Sequence, residues 1–238
     1  MERDYEERKE KNYFASAFIG FLTIVFFNWL FPGVIPFGTF ELWKIKQGNW
    51  LSWLIAAWPI FAWCVLANVI CSALTRNDPC MNKKAESLFG IGILISLWAG
   101  FVEEIAFRWL IFLGAIPGVK IANFLFFGWL GFGLPAWFQV HLAGPIANFF
   151  SLGGLNGILT EPSNWAMGAA LLSTNTFFRD GHKYQGWFGW LNSWFIGMFL
   201  FWMLFKYGLL ACILVHFAYD FLCFFVRYID MVLERKMC

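Results

Sequence analysis

"AGFVEEIAFRWL", residues 99–110, is the stretch on which the reading of the fold turns. It closes an apolar run from Glu86 to about Leu113, yet it holds two adjacent glutamates and an arginine. A charged side chain at the centre of a bilayer costs roughly 3 kcal/mol or more, so intramembrane charges are functional candidates by default. The run around them is long enough to cross a membrane, since ~20 apolar residues span the hydrocarbon core.

The rest of the chain supports a membrane setting. Of 238 residues, 60% are hydrophobic and only 13% charged, with a mean hydropathy of +0.63. A soluble domain is about half apolar and about a quarter charged. The net charge of +2 and the lack of a basic tract exclude a nucleic-acid partner. Six cysteines lie scattered without a CxxC pair, indicating neither a disulfide framework nor a zinc knuckle. Fifteen Trp and 31 Phe suit interfacial belts and interhelical packing. A surface for flat cofactors or another membrane subunit is the sharper reading of the same aromatics.

Outward from the opening stretch, hydropathy divides the chain into spans. Residues 1–12 form a charged, solvated arm that reads as the first turns of a helix, not as a signal peptide. The first span covers residues 14–31 and ends at "PGVIPFG", 32–38. The second covers 50–74, with a kink expected at Pro59. A polar loop, "TRNDPCMNKK" (75–84), precedes the charged third span. Residues 119–145 are apolar but interrupted by Gly131, Gly133 and Pro135, and 146–178 are weakly patterned. Two clear spans follow, about 187–205 and 208–229, then a charged tail, 230–238. The expected fold is all-α: one polytopic transmembrane bundle over residues 1–238, with seven or eight helices, eight favoured. Placing the N-terminus in the cytoplasm puts 12 basic residues inside against 4 outside, with the C-terminus also cytoplasmic. The expected location is a bacterial-type cytoplasmic membrane.

Few ionisable groups fall within the spans: Glu103, Glu104, Arg108, His141, His216 and Asp220. Glu104 and Arg108 stand at i and i+4 with the acid first, the better orientation for an ion pair. Glu103 is turned ~100° from its neighbour and is left for another use. His216 and Asp220 are also i, i+4. Jointly, an acid and two histidines on separate helices suit the activation of water, with Glu103 as general base. His141 would orient the water or protonate the leaving amine, and His216 with Asp220 would face the developing oxyanion. Singly, each has a plainer reading as an ion pair, a carbonyl contact or an interhelical clamp. Depth adds a constraint. Glu103 lies ~25 Å along its helix from Glu86, whereas an unbroken helix from 119 would carry His141 ~33 Å, to the opposite side. The helix is therefore expected to break near Gly131–Pro135, with His141 on a separate segment.

The motifs resemble a known family. "EEIAFR" (103–108) is similar to the EExxxR motif of the CPBP family, the CAAX-protease and bacteriocin-processing membrane proteins also called Abi. "WFQVH" (137–141) is similar to its FxxxH motif, with Trp137 in place of phenylalanine. "HFAYD" (216–220) resembles its closing HxxxN or HxxxD motif. The resemblance implies an intramembrane endopeptidase of the glutamate type, with Glu103 as water activator, His141 as its partner, and His216 and Asp220 on the oxyanion side. Eukaryotic and archaeal CAAX enzymes carry asparagine at the position of Asp220. An ionised aspartate there would repel an oxyanion, so Asp220 must be protonated, orient His216 or bind a metal.

No cofactor is required by this reading. Zn²⁺ is a variant on the same histidines and carboxylates, ranked second because no HExxH is present. The expected partners are the lipid bilayer and a membrane-associated peptide or protein. The competing class is a non-catalytic protein of the same fold: a scaffold, an immunity protein or an accessory subunit of a larger complex. A proton-coupled transporter has no internal repeat to support it.

Overall fold

The structure, a computed structural model, describes residues 2–75 and 85–237. Most of the loop expected at 75–84 lies outside the described residues. Every regular element among them is helical. In chain order these are α1 (Glu2–Leu30), α2 (Trp50–Ala56), α3 (Trp58–Thr75), α4 (Ala85–Glu103), a π-helical stretch (Glu104–Ile111) and α5 (Phe112–Leu125). Then come α6 (Leu134–Phe138), a second π-helical stretch (Gln139–Ala143), α7 (Gly144–Phe150) and α8 (Asn156–Leu159). The long helices α9 (Trp165–Gly181), α10 (Gly186–Tyr207) and α11 (Leu209–Met237) complete the chain.

Among the described residues, three helical runs are long and apolar enough to cross a membrane: Gly90–Leu125, Lys183–Tyr207 and Leu209–Asp230. A fourth arises if α2 and the following Trp58–Ile70, bent by 53°, count as one broken span. Their apolar faces stay open, with Leu94 and Trp98 each 69% exposed. Contiguous apolar surface of this kind suits lipid better than water. Eight spans are not shown among the described residues. Residues 134–150 are helical without a break through the second π-helical stretch but are not among the membrane-length apolar runs, and α8 has only four residues.

Several boundaries follow local chemistry. The chain turns from α10 to α11 at Gly208, φ +103°, a conformation natural only to glycine. The second span breaks at Ala57, so Pro59 falls in the first turn of α3, where its missing N–H costs nothing. The expected break near Gly131–Pro135 is present: α5 ends at Leu125, and Gly131 and Gly133 take φ +93° and +81° before α6. One boundary departs from the sequence reading. The third span does not stop at Leu113 but continues helical to Leu125 with Pro117 inside. Ile116 and Pro117 are buried and α5 packs on α9, so packing carries the helix past the proline.

The chain divides into two compact units. The first comprises Met1–Lys44 and Ile105–Phe205, the second Ile45–Glu104 and Lys206–Cys238. The first unit has an aromatic core in which Phe112 meets Phe201 edge-on at 5.4 Å and Phe205 at 5.8 Å. Trp109 packs against Trp43 at 5.3 Å and donates its indole N–H to the Thr39 carbonyl at 2.7 Å. At the α9 end, the Asp180 carboxylate accepts from the Trp190 indole at 2.8 Å. It also pairs with Arg179 at 2.9 Å and Lys183 at 3.0 Å. The Trp190 hydrogen bond first, then these two cations, hold its pKa down at about 2.

The second unit is built on α11, against which α4, α3 and α2 pack. Gly92, Ser96, Gly100 and Glu104 recur every four residues, so the first three line one face of α4 and the stripe runs on into Glu104. At Gly100 an added Cβ would stand 2.9 Å from the Phe217 backbone nitrogen. At Gly92 it would meet the Phe224 ring at 2.8 Å. Small side chains let the two backbones approach, the device by which membrane helices associate without a hydrophobic driving force. Buried Ser96 turns its hydroxyl back to the Gly92 carbonyl at 2.7 Å, so it adds no unsatisfied group to the interface.

Candidate functional site

The small-residue stripe of α4 ends at Glu104, one turn beyond Gly100. Close approach of α11 at Gly100 sets this carboxylate against His216. His216 Nδ1 lies 2.7 Å from Glu104 Oε1, with the imidazole 3% exposed and Glu104 fully buried. An ionised carboxylate only accepts, so this bond places a proton on Nδ1. On the other side of the ring, Nε2 faces Asp220 Oδ2 at 3.5 Å, along the i, i+4 face of α11. That distance exceeds ordinary hydrogen-bond length, so Nε2 is the nitrogen able to exchange a proton with a third group.

Glu103 is half-buried in the same unit and within electrostatic reach of His216. One imidazole is thus set among three carboxylates, two in contact and one nearby. Chemically, such a cluster can hold a proton on a buried histidine. Glu103 is half-buried where Glu104 is fully buried. Among the described residues, no group of three or more His, Cys, Asp or Glu side chains is placed to hold a metal ion.

The remaining expected residues belong to the first unit. His141 sits on the second π-helical stretch, past the glycine break, as the depth constraint required. It is exposed, its ring 5.4 Å from that of Trp137, the aromatic one turn earlier. The neighbouring Gln139 is buried and donates to the Leu159 carbonyl at 3.2 Å, which ties this stretch to α8. Arg108 is fully buried, its guanidinium 4.1 Å over the Phe178 ring and 5.4 Å from that of Phe201. Its Nη2 points to the Gly197 carbonyl at 3.5 Å. Cation–π contact of this kind suits a guanidinium deprived of water.

The structure brings together Glu104, His216 and Asp220, with Glu103 close by. The i, i+4 reading assigned Glu104 to Arg108 and did not foresee its bond to His216. The signal was present: the four-residue period Gly92, Ser96, Gly100, Glu104 marks Glu104, not Glu103, as the acid facing the close-packed neighbour. Both π-helical stretches hold motif residues, a feature that hydropathy does not reveal. Comparison with protein-family models, with curated proteins and with solved structures finds no match for this chain.

Proposed function

We propose that this chain is a multi-pass membrane endopeptidase of the CPBP type, hydrolysing a peptide bond of a membrane-associated protein with water activated by Glu103. The observation that carries the reading is His216, buried between Glu104 and Asp220 within reach of Glu103. In the proposed reaction Glu103 takes a proton from water as it attacks the scissile carbonyl. His216, held by Glu104, offers its Nε2 proton to the developing oxyanion, while Asp220 fixes the ring. His141 serves the leaving amine. The seven or eight spans and the cytoplasmic termini belong to the same proposal, resting on hydropathy and the distribution of basic residues.

The test is a comparison of the cellular membrane proteome between the parent and Glu103→Ala. An unprocessed protein should accumulate in the variant. Glu103→Gln should lower cleavage of that protein by about 10²–10⁴-fold, the usual contribution of a general base. Unchanged processing in both variants defeats the assignment. Chelators should leave cleavage intact; loss on chelation would favour the zinc variant.

A second reading is favoured by the depth of the Glu104–His216 pair. A carboxylate and an imidazole so thoroughly buried also make a good interhelical clamp. In that case the chain is a non-catalytic scaffold, immunity protein or accessory subunit. Glu103→Ala would then leave phenotype and complex assembly intact, while Glu104→Ala would unfold the protein.

A further inference from the structure

Cys64 on α3 and Cys223 on α11, 159 residues apart in sequence, meet inside the second unit with their sulfurs 2.7 Å apart. Both are free thiols; Cys64 is fully buried and Cys223 partly exposed. Asn68, one turn along α3, donates its amide to the Cys64 carbonyl at 2.9 Å and points the same nitrogen at the Cys64 sulfur, 3.5 Å away. The Tyr219 carbonyl lies 4.0 Å from the Cys64 sulfur, and Asp220 follows it in the chain. Two apolar thiols packed as small hydrophobes would need neither the sulfur-to-sulfur contact nor an amide directed at one of them.

We propose that Cys64 and Cys223 are a redox-active pair that closes into a disulfide and ties α3 to α11 beside Asp220. The oxidant is an apolar disulfide, RSSR, able to partition into the membrane. The two thiols differ in access, and that sets the order of events. The more open Cys223, as thiolate, attacks one sulfur of RSSR, breaking its S–S bond and releasing the first RS⁻. The Cys64 thiolate, with the Asn68 amide beside it, then attacks the Cys223 sulfur of the mixed disulfide and releases the second RS⁻. The protons lost by the two cysteines go to the two leaving thiolates, so two RSH form for each protein disulfide. Exchange of this kind proceeds through the thiolate and depends on access to the sulfur attacked. The inference does not rest on the peptidase reading, because it concerns only the two thiols.

The full-length protein in lipid nanodiscs is treated with dithiodipyridine, whose released thione is read by absorbance, then denatured, alkylated and digested without reductant. The expected product is a Cys64–Cys223 linked peptide, formed with two thiones per chain from this pair and removed by dithiothreitol. Cys64→Ser should leave Cys223 carrying a retained pyridylthio group. Cys212→Ser, changing a buried thiol elsewhere on α11, should leave the linked peptide unchanged. Recovery of Cys64 and Cys223 unlinked from the parent protein, each alkylated or each carrying its own pyridylthio group, overturns the proposal. So does linkage of either residue to a different cysteine.

Discussion

Glu103 and Glu104 are adjacent in sequence and different in circumstance. Glu104 is fully buried and bonded to His216, so Glu104→Ala leaves an imidazole in the interior with half its support. Breaking a buried pair from one side costs about 3–5 kcal/mol, and thermal unfolding in detergent should show it. Glu103 is only half-buried, so Glu103→Gln, which keeps the shape of the side chain, should unfold closer to the parent. A common loss of stability would contradict the division of labour between the two acids. Asp180 offers a pH test outside the spans. Its folded pKa is depressed to about 2, so the stability it adds is complete above the ordinary carboxylate pKa of about 4. That stability is lost progressively as pH falls from about 4 through about 2. Because the carboxylate is open to solvent, the effect is small and weakens with salt. The Trp190 indole N–H resonance, followed by NMR in acid, should move with a midpoint near 2 and should not titrate in Asp180→Asn.

At the scale of elements, the α4–α11 contact is set by what the glycines leave out. At Gly100 an added methyl group meets backbone, at Gly92 the movable Phe224 ring, and at Gly90 nothing within 4 Å. Gly100→Ala should therefore cost about 1–3 kcal/mol, as overpacking does, with Gly92→Ala milder and Gly90→Ala near neutral. The order of the three, measured by unfolding in one detergent, is the test; equal effects would mean that close approach at Gly100 is not what seats Glu104. Much at this scale was legible beforehand. Proline and glycine punctuation located the Gly131–Pro135 break and the break before α3, because these residues act through their own backbone. The end expected near Leu113 was not legible, since the helix runs on through buried Pro117 and α5 packs on α9. The Glu104–His216 bond stayed hidden because it depends on an approach between helices 112 residues apart, which i, i+4 arithmetic on a single helix does not reach. The Cys64–Cys223 contact was hidden for the same reason.

For the molecule as a whole, hydropathy and fold agree on an all-helical chain with several membrane-length helices, and part company in the middle. Residues 126–164 hold a helical run over 134–150, short helices and turns, and none of the runs long and apolar enough to cross a membrane. Backbone of that kind is tolerated at membrane depth only where protein or a polar cavity surrounds it. Orientation is open to direct measurement. Reporters fused at either end should both signal the cytoplasmic face, as the excess of basic residues on that side predicts. A reporter at either end that signals the outer face would reverse or break the proposed topology.

The π-helical stretch from Glu104 to Ile111 has a consequence for how such a chain changes over generations. A π turn holds one residue more than the α turn it replaces, so it sits one deletion away from an ordinary helix. Removing a single residue there would leave hydropathy and length almost untouched. It would nevertheless turn every later side chain of that helix by ~100° about its axis. A membrane span could thus gain or lose its chemistry by the smallest possible insertion or deletion, with no visible change in its apolar character.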